Sequence, residues 1–337
     1  MKKCSVGGQA VLEGVMMKSP DAIAMAVRRS NGEIVTDYKL SKSKAQKGTF
    51  WGLPIVRGVV SFVESLSTGM KTLTRSAELF GEEIEEEPSK FEKWLERKFG
   101  KSAEKVIIGF AVFIAILLSV GLFILLPTFL SDLIFAGTAA APIWRSLAAG
   151  GFRLLIFVGY IIVCSQAKDV SRVFMYHGAE HKTIACYEAD EELTPENAVK
   201  HSRLHPRCGT NDLFLVMAVS ILFFAAIGWS ENKLILFGTR ILFLPLVAGL
   251  SYEVLKLAAK SDNILCRIVR APGMGLQYLT TKEPTLDMIE VAITSFRLAM
   301  DGPGPAGEQA QTIEPGAQAP DDGNAREQEA AAQSLPA

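Results

Sequence analysis

Residues 106–130 read VIIGFAVFIAILLSVGLFILLPTFL, with no ionisable side chain among them. An apolar run of that length matches what a helix needs to cross the ~30 Å hydrocarbon core of a bilayer. A core helix of a water-soluble domain seldom runs so far without a polar residue. Pro127, near the far end, is tolerated in such a helix. Three more runs follow. Leu213–Trp229 (LFLVMAVSILFFAAIGW) is also uninterrupted, and its Trp suits an interface. Ser146–Cys164 and Leu234–Tyr252 each carry one arginine, Arg153 and Arg240, close enough to the start of the run to snorkel. The reading is an α-helical polytopic membrane protein with about four transmembrane helices.

The composition agrees. The chain has 337 residues, of which 49% are hydrophobic and 21% charged. Its mean hydropathy is +0.24. Lys and Arg number 35 against 36 Asp and Glu, a net charge of -1, which excludes a nucleic-acid binder driven by bulk charge. Five cysteines without a C-x-x-C pair exclude a small disulfide scaffold.

Orientation follows from the basic residues beside the runs. Lys90, Lys93, Arg97, Lys98, Lys101 and Lys105 precede the first, and Lys168, Arg172, Lys182, Lys200, Arg203 and Arg207 follow the second in sequence order. Lys256, Lys260, Arg267 and Arg270 follow the last. The connection from Ser131 to Pro142 has no basic residue, and Ser230–Lys233 has one. Both termini and the long middle segment are therefore expected on the cytoplasmic side of the cell membrane. MKKCSVGGQAV at the start lacks the apolar core of a signal peptide.

The expected organisation has five parts. Residues 1–85 form an N-terminal cytoplasmic α+β unit, and 86–105 a basic juxtamembrane linker. Residues 106–260 form a four-helix membrane domain whose cytoplasmic loop, 165–212, is rich in histidine. Residues 261–300 form a C-terminal cytoplasmic segment, and 301–337 a polar, disordered tail. Within the first unit, Ala22–Arg28 and Glu33–Tyr38 flank Asn31-Gly32, a strong β-hairpin signal. The Gly-rich stretch Gly7–Gly14 fits no nucleotide motif and reads as a turn. Pro54 opens a helix to about Ala77 whose stripe of Val56, Val59, Val60, Val63, Leu66, Met70 and Leu73 is expected to face a core or bundle; a membrane surface is the other reading. The acidic run 82–87 reads as a solvated hinge. Pro284 opens a last helix through about Met300.

All four histidines fall within 29 residues, as two i, i+4 pairs: His177 with His181, and His201 with His205. On a helix such residues share one face. His177-x-x-Glu180-His181 has the inverted zincin pattern, two imidazoles for zinc and a carboxylate for proton transfer. Pro206 biases His205 out of helix, leaving His205 and Cys208 on a loop free to turn toward the first pair. A structural site would fill four positions with His177, His181, His205 and Cys208. A catalytic one would use three of these and keep one position open, with Glu180 as base. Zn²⁺ suits this donor set best, with another divalent metal as the alternative. His201 is a ligand or a helix end beside one. Glu253 is a further ligand or an Arg partner, and Glu13 can approach the site. Cys4, Cys164, Cys186 and Cys266 read as plain reduced residues.

Five blocks resemble the bacterial DUF1385 family: GGQAVLEGVMMK (7–18), YHGAEHKTIACYE (176–188), HPRCGTN (205–211), LPLVAGLSYE (244–253) and LTTKEP (279–284). The likeness covers most of 5–300 and implies a metal-dependent membrane enzyme with no assigned reaction. The family motifs fall on His177, Glu180, His181, His205 and Cys208, and leave His201 outside. The family's aromatic after the Asn is displaced here by Asp212. Together these readings favour a metal-dependent hydrolase at the cytoplasmic membrane surface. Its substrate would be a lipid, a membrane-associated protein or a soluble molecule. The alternative is a non-enzymatic assembly or interaction scaffold stapled by structural zinc. A transporter is disfavoured, because the uninterrupted runs lack paired ionisable residues.

Overall fold

The computed structural model describes residues 6–41, 43, 48–81, 103–138, 141–206, 208–258 and 263–303. The acidic run 82–87, most of the basic linker, the side chains of residues 210–212 and the tail beyond 303 lie outside the described residues.

Four strands form an antiparallel meander in the order β1 (Gly7–Val11), β2 (Gly14–Lys18), β3 (Ala22–Arg28) and β4 (Ile34–Leu40). The hairpin read from Asn31-Gly32 joins β3 and β4, with Gly32 at φ 88° as its turn requires. The Gly7–Gly14 stretch is not simply a turn. It supplies all of β1 and the start of β2, and only Leu12 and Glu13 turn between Val11 and Gly14. The helices are α1 (Val56–Phe80), α2 (Ala103–Val120), α3 (Leu126–Ile134), α4 (Pro142–Cys164) and α5 (Lys168–Glu188). They continue with the single turn α6 (Pro195–Ala198), then α7 (Gly209–Ile227), α8 (Lys233–Leu242), α9 (Leu244–Ala258), α10 (Ile264–Thr280) and α11 (Leu286–Asp301).

The sheet is covered on both faces. Val15, Met17, Ala24 and Ala26 pack against Tyr176 and Ala179 of α5 and against Ile289, Val291 and Phe296 of α11. The alternate residues Met16, Met25 and Val27 pack with Val11 and with Leu79 of α1. Successive strand residues point to opposite faces, so a strand buried on both sides must be apolar throughout. Gly14-Val15-Met16-Met17 and the run Ala22–Val27 satisfy that. The result is a three-layer unit, α1 over the sheet over α5 and α11.

Two helical stretches are long and apolar enough to cross a membrane: Gly109–Ile134, which joins α2 to α3, and Pro142–Cys164. The α8–α9 pair qualifies as a third if taken as one span, but it is bent by 45°. The apolar part of α7, Leu213–Ile227, is shorter. Gly150 lets α4 approach α7, since a Cβ there would stand 2.6 Å from Ile221 Cγ1. The two short connections between helices lie together. Lys233 Nζ is 2.6 Å from Asp132 Oδ2, and Arg145 Nη1 is 2.7 Å from Glu231 Oε1.

Neither arginine of the spans snorkels as expected. A π turn, Gly121–Leu125, interrupts the α2–α3 helix, and the carbonyl of Phe123 within it accepts from Arg153 Nε at 2.8 Å. Arg240 is buried, its guanidinium over the rings of Phe224 and Trp229 at 5.5 and 5.7 Å. In both cases a partner inside the protein replaces the reach to water.

The helix opened by Pro54 also departs from expectation. Its buried residues are Gly58, Thr72, Ser76 and Leu79, whereas Val63, Leu66, Met70 and Leu73 are exposed. Small and polar side chains let α1 lie close on the sheet and on α9, and that contact turns the apolar stripe outward. At its start, Gly58 and Gly249 face each other so closely that a Cβ on Gly58 would stand 2.8 Å from the Gly249 Cα. Ile55 enters the helix at φ 68° and ψ -53°, with Val56 N–H bonded to the carbonyl of Pro54 at 2.8 Å. This is a γ-turn of the strained, positive-φ kind, unusual for a β-branched residue. Glu253 of α9 holds it. Its Oε1 accepts from Ile55 N–H (3.3 Å) and from Arg57 Nε (2.7 Å), and its Oε2 accepts from Arg57 Nη2 (2.5 Å). Glu253 is thus an arginine partner.

Gly249→Val places methyl groups where Ile55 now sits, with even its Cβ 2.6 Å from the Ile55 carbonyl oxygen. The substitution is expected to destabilise by about 1–3 kcal/mol and to free α1. Thermal unfolding in detergent and protease cleavage within residues 50–58 measure this. Glu253→Gln, which keeps the shape, should cost less.

Candidate metal centre

The centre is built on α5. His177 and His181 lie one turn apart with ring centroids 4.5 Å from each other. His177 donates from Nδ1 to the carbonyl of Thr280 (2.8 Å), and His181 donates from Nδ1 to the carbonyl of Arg203 (2.6 Å). A carbonyl oxygen only accepts, so each ring carries a proton on Nδ1 and turns its Nε2 away from that carbonyl. Cys208 Sγ stands 3.1 Å from His177 Nε2. One ligand atom from each of His177, His181 and Cys208 can be chosen so that all lie within 4.8 Å of one another. His181 Nε2 is buried and, among the described residues, has no hydrogen-bond partner. Burial, with His177 and His205 nearby, lowers the His181 pKa to about 3 against the opposing pull of the Arg203 carbonyl. The ring is therefore neutral at pH 7.

Glu180 projects beside this group and is buried. Its carboxylate accepts the Gly8 N–H, and its Oε2 lies 4.0 Å from His177 Nε2 without a hydrogen-bond partner among the described residues. Burial raises its pKa above the ordinary carboxylate range, and His177 and the Gly8 N–H oppose the rise. Only glycine fits at position 8, where a Cβ would stand 2.8 Å from both Glu180 Cδ and the Met16 carbonyl oxygen. The first strand, read as a turn in the sequence, thus seats the acid of the site.

His205 is brought near, with its ring 5.8 Å from that of His181, but it is not in the group of three. Gln277 clamps its backbone on both sides, accepting from His205 N–H at 2.9 Å and donating to the His205 carbonyl at 2.8 Å. That clamp sets the ring so that Nε2 meets Glu188 Oε2 at 3.4 Å. Burial lowers the His205 pKa to about 4. The same clamp carries the chain on to Cys208. His201 faces Glu191 at 3.3 Å and forms, with Cys186, a separate, partly exposed grouping. Glu13 is also outside the centre. Its carboxylate pairs with Arg172 and accepts from the Tyr176 hydroxyl at 3.3 Å, which fixes the β1–β2 turn to α5.

A cavity of about 740 Å³ opens on the centre, with His177, Glu180, Cys208 and Gly8 in its wall. Its other walls come from β1, β2 and α1.

Several supporting groups carry no sequence signature. The carbonyls of Thr280 and Arg203 are backbone atoms, and Gln277 lies about seventy residues from the histidine it clamps. The segment after α10 reaches α5 because Gly178 leaves room for it. Lys282 N–H bonds the Phe174 carbonyl at 2.8 Å, and a Cβ on Gly178 would stand 2.2 Å from the Lys282 carbonyl oxygen. The quoted block LTTKEP was the available signal for this segment.

A helical bundle with span-length apolar helices, joined to a layered α/β unit that carries a His-Cys centre, is the class these features define. Residues 53–302 match the DUF1385 family, described as a protein of unknown function. The chain belongs to that family. It is 35% identical over 297 residues to the uncharacterized protein YqhQ of Bacillus subtilis (strain 168), covering 86% of this chain and 90% of the relative. The family match begins after the sheet, so the Gly8 cradle lies outside it. No solved structure matches the chain.

Gly178→Ala forces the Lys282 carbonyl away from α5 and is expected to destabilise by about 1–3 kcal/mol. With the Thr280 carbonyl displaced, His177 loses its orientation and Cys208, now buried, opens to solvent. Maleimide labelling of Cys208 in the folded protein should accelerate relative to wild type.

Proposed function

We propose that the protein is a multi-pass membrane enzyme, a metal-dependent hydrolase, with its centre at the cytoplasmic membrane surface. The observation that carries this reading is the pair of buried, unpartnered atoms His181 Nε2 and Glu180 Oε2 beside His177 Nε2 and Cys208 Sγ. Buried polar atoms rarely lack a partner, and an exception calls for a specific reason such as a bound ion. Two imidazoles and a thiol, each ring fixed through Nδ1 by a carbonyl, make a donor set suited to zinc. Three protein donors beside a 740 Å³ cavity match a catalytic site, which keeps a position open, better than a closed structural one.

His177, His181 and Cys208 would hold the ion. Zinc bound there supplies Lewis-acid polarisation of a carbonyl or phosphoryl oxygen. Glu180 would move the proton through Oε2, and burial raises its pKa above the ordinary carboxylate range. His205 and Glu188 support the loop that carries Cys208. Basic residues beside the apolar runs support four spans with both termini in the cytoplasm. The ion pairs joining the two short connections support placing those connections on one side.

The scaffold reading keeps the same ion as a staple. Elemental analysis of the purified full-length protein separates the two. One zinc per chain is expected in wild type and in Glu180→Gln, with strong loss in His177→Ala and Cys208→Ser. Glu180→Gln should abolish function in cells while leaving metal content and thermal stability near wild type. A harmless Glu180→Gln would leave only the scaffold, and absence of stoichiometric metal in wild type would sink both.

A further inference from the structure

The 740 Å³ cavity does not end at the metal centre. A second cavity of about 560 Å³ runs along α1, and Lys18, Ser43 and Thr68 line both. The two differ in chemistry. The first holds His177, Glu180 and Cys208, whereas the second is walled by Val59, Val60 and Val63 of α1 and by Trp51 before it. Lys18 stands at the junction, and among the described residues no carboxylate pairs with it. Glu64, the acid of the second cavity, is bonded instead by the Ser43 hydroxyl at 2.7 Å.

The outer edge of this apolar wall continues into the exposed stripe of α1. At 3.6 residues per turn, Phe62, Val63, Leu66, Met70 and Leu73 fall within an arc of about 100°. Each is 42–68% exposed. Phe50, Trp51 and Leu53 extend the patch just ahead of the helix. A continuous apolar surface of this kind marks an interaction site, and an amphipathic helix presenting one lies at a bilayer interface. The start of α1 is locked to α9, the second half of the bent apolar pair, through Gly58–Gly249 and Arg57–Glu253. The stripe therefore begins where the helical bundle ends.

We infer that the site takes an amphiphile, an acyl chain bearing an anionic head, drawn from the cytoplasmic leaflet along α1. The chain lies against Val59, Val60, Val63 and Trp51, Lys18 neutralises the head, and the adjoining polar part reaches His177 and Glu180. This names the substrate class for the centre proposed above and rests on that reading. A small water-soluble substrate has no use for an apolar channel open to the edge of the bundle.

Full-length protein in nanodiscs containing phosphatidylglycerol with a diazirine in its acyl chain provides the test. After photolysis, peptides covering residues 51–68 should be labelled. Val60→Glu should remove that label while the label on 109–134 and 142–164 persists. Lys18→Ala should reduce labelling of 51–68 about fivefold, and a matched phosphatidylcholine probe should show no such dependence on Lys18. Competition by unlabelled dioleoylphosphatidylglycerol identifies a phospholipid, and competition by oleate alone a free fatty acid; either upholds the inference. No enrichment in 51–68, or enrichment insensitive to both substitutions, overturns it. Metal content of both variants, expected to match wild type, excludes unfolding as the cause of lost label. A wild-type protein without metal but with the specific label would remove the catalytic reading and leave the amphiphile site standing.

Discussion

Glu180, His181, Lys182, Thr183 and Glu188 are all buried on a single helix. Each buried polar or charged group is costly unless a partner is supplied. Meeting that demand organises the surrounding chain. Lys182 Nζ donates to the carbonyls of Val199 and His201 and pairs with Glu283 at 3.1 Å, which binds the segment after α6 and the segment before α11 to the same helix. His177 and His181 capture the carbonyls of Thr280 and Arg203, and Glu188 takes His205. Lys282 also reaches the Ser165 carbonyl at 3.0 Å, at the end of α4. The polar content of α5 thus fixes two loops, and the atoms it leaves over collect at the centre.

The sheet and the centre meet through one carboxylate. Glu180 reaches out of α5 to the N–H of Gly8, so the edge strand β1 becomes part of the site. On the other side of the sheet α1 closes the cavity. The side chains of the centre, the seat of Glu180 and the α1 wall of the cavity therefore come from three layers of one unit. The helical bundle contributes the start of α7 directly after Cys208 and the end of α10 with the Thr280 carbonyl.

Local chemistry was readable in the sequence wherever one short segment determined it. Asn31-Gly32 marked its hairpin, Pro54 marked the start of α1 to within two residues, and the i, i+4 spacing placed His177 beside His181. The first hairpin was hidden because β2, buried on both faces, shows no alternation, and because Gly8 and Gly14 are there for close approach and not for turning. The helical period of α1 was clear, but period alone does not say whether an apolar face meets protein or another apolar medium. His205 illustrates a third limit. Its distance from the first pair was right, yet Gln277, far along the chain, decides where the ring points. Backbone carbonyls that hold imidazoles leave no trace in side-chain pattern.

Ile55 has a mechanical consequence. Its positive-φ γ-turn holds a conformation that costs on the order of 1–3 kcal/mol, kept in place by the Glu253 carboxylate and the glycine contact at Gly249. Such a joint behaves as a latched spring. With the latch closed, α1 leaves the bundle at one fixed angle. With it open, Ile55 is free to relax toward ordinary backbone, while Ser76 and Leu79 still hold the far end of the helix to the sheet. The start of that helix, one wall of the cavity, is thus held by the Arg57–Glu253 ion pair together with the Gly58–Gly249 contact, remote from the histidines.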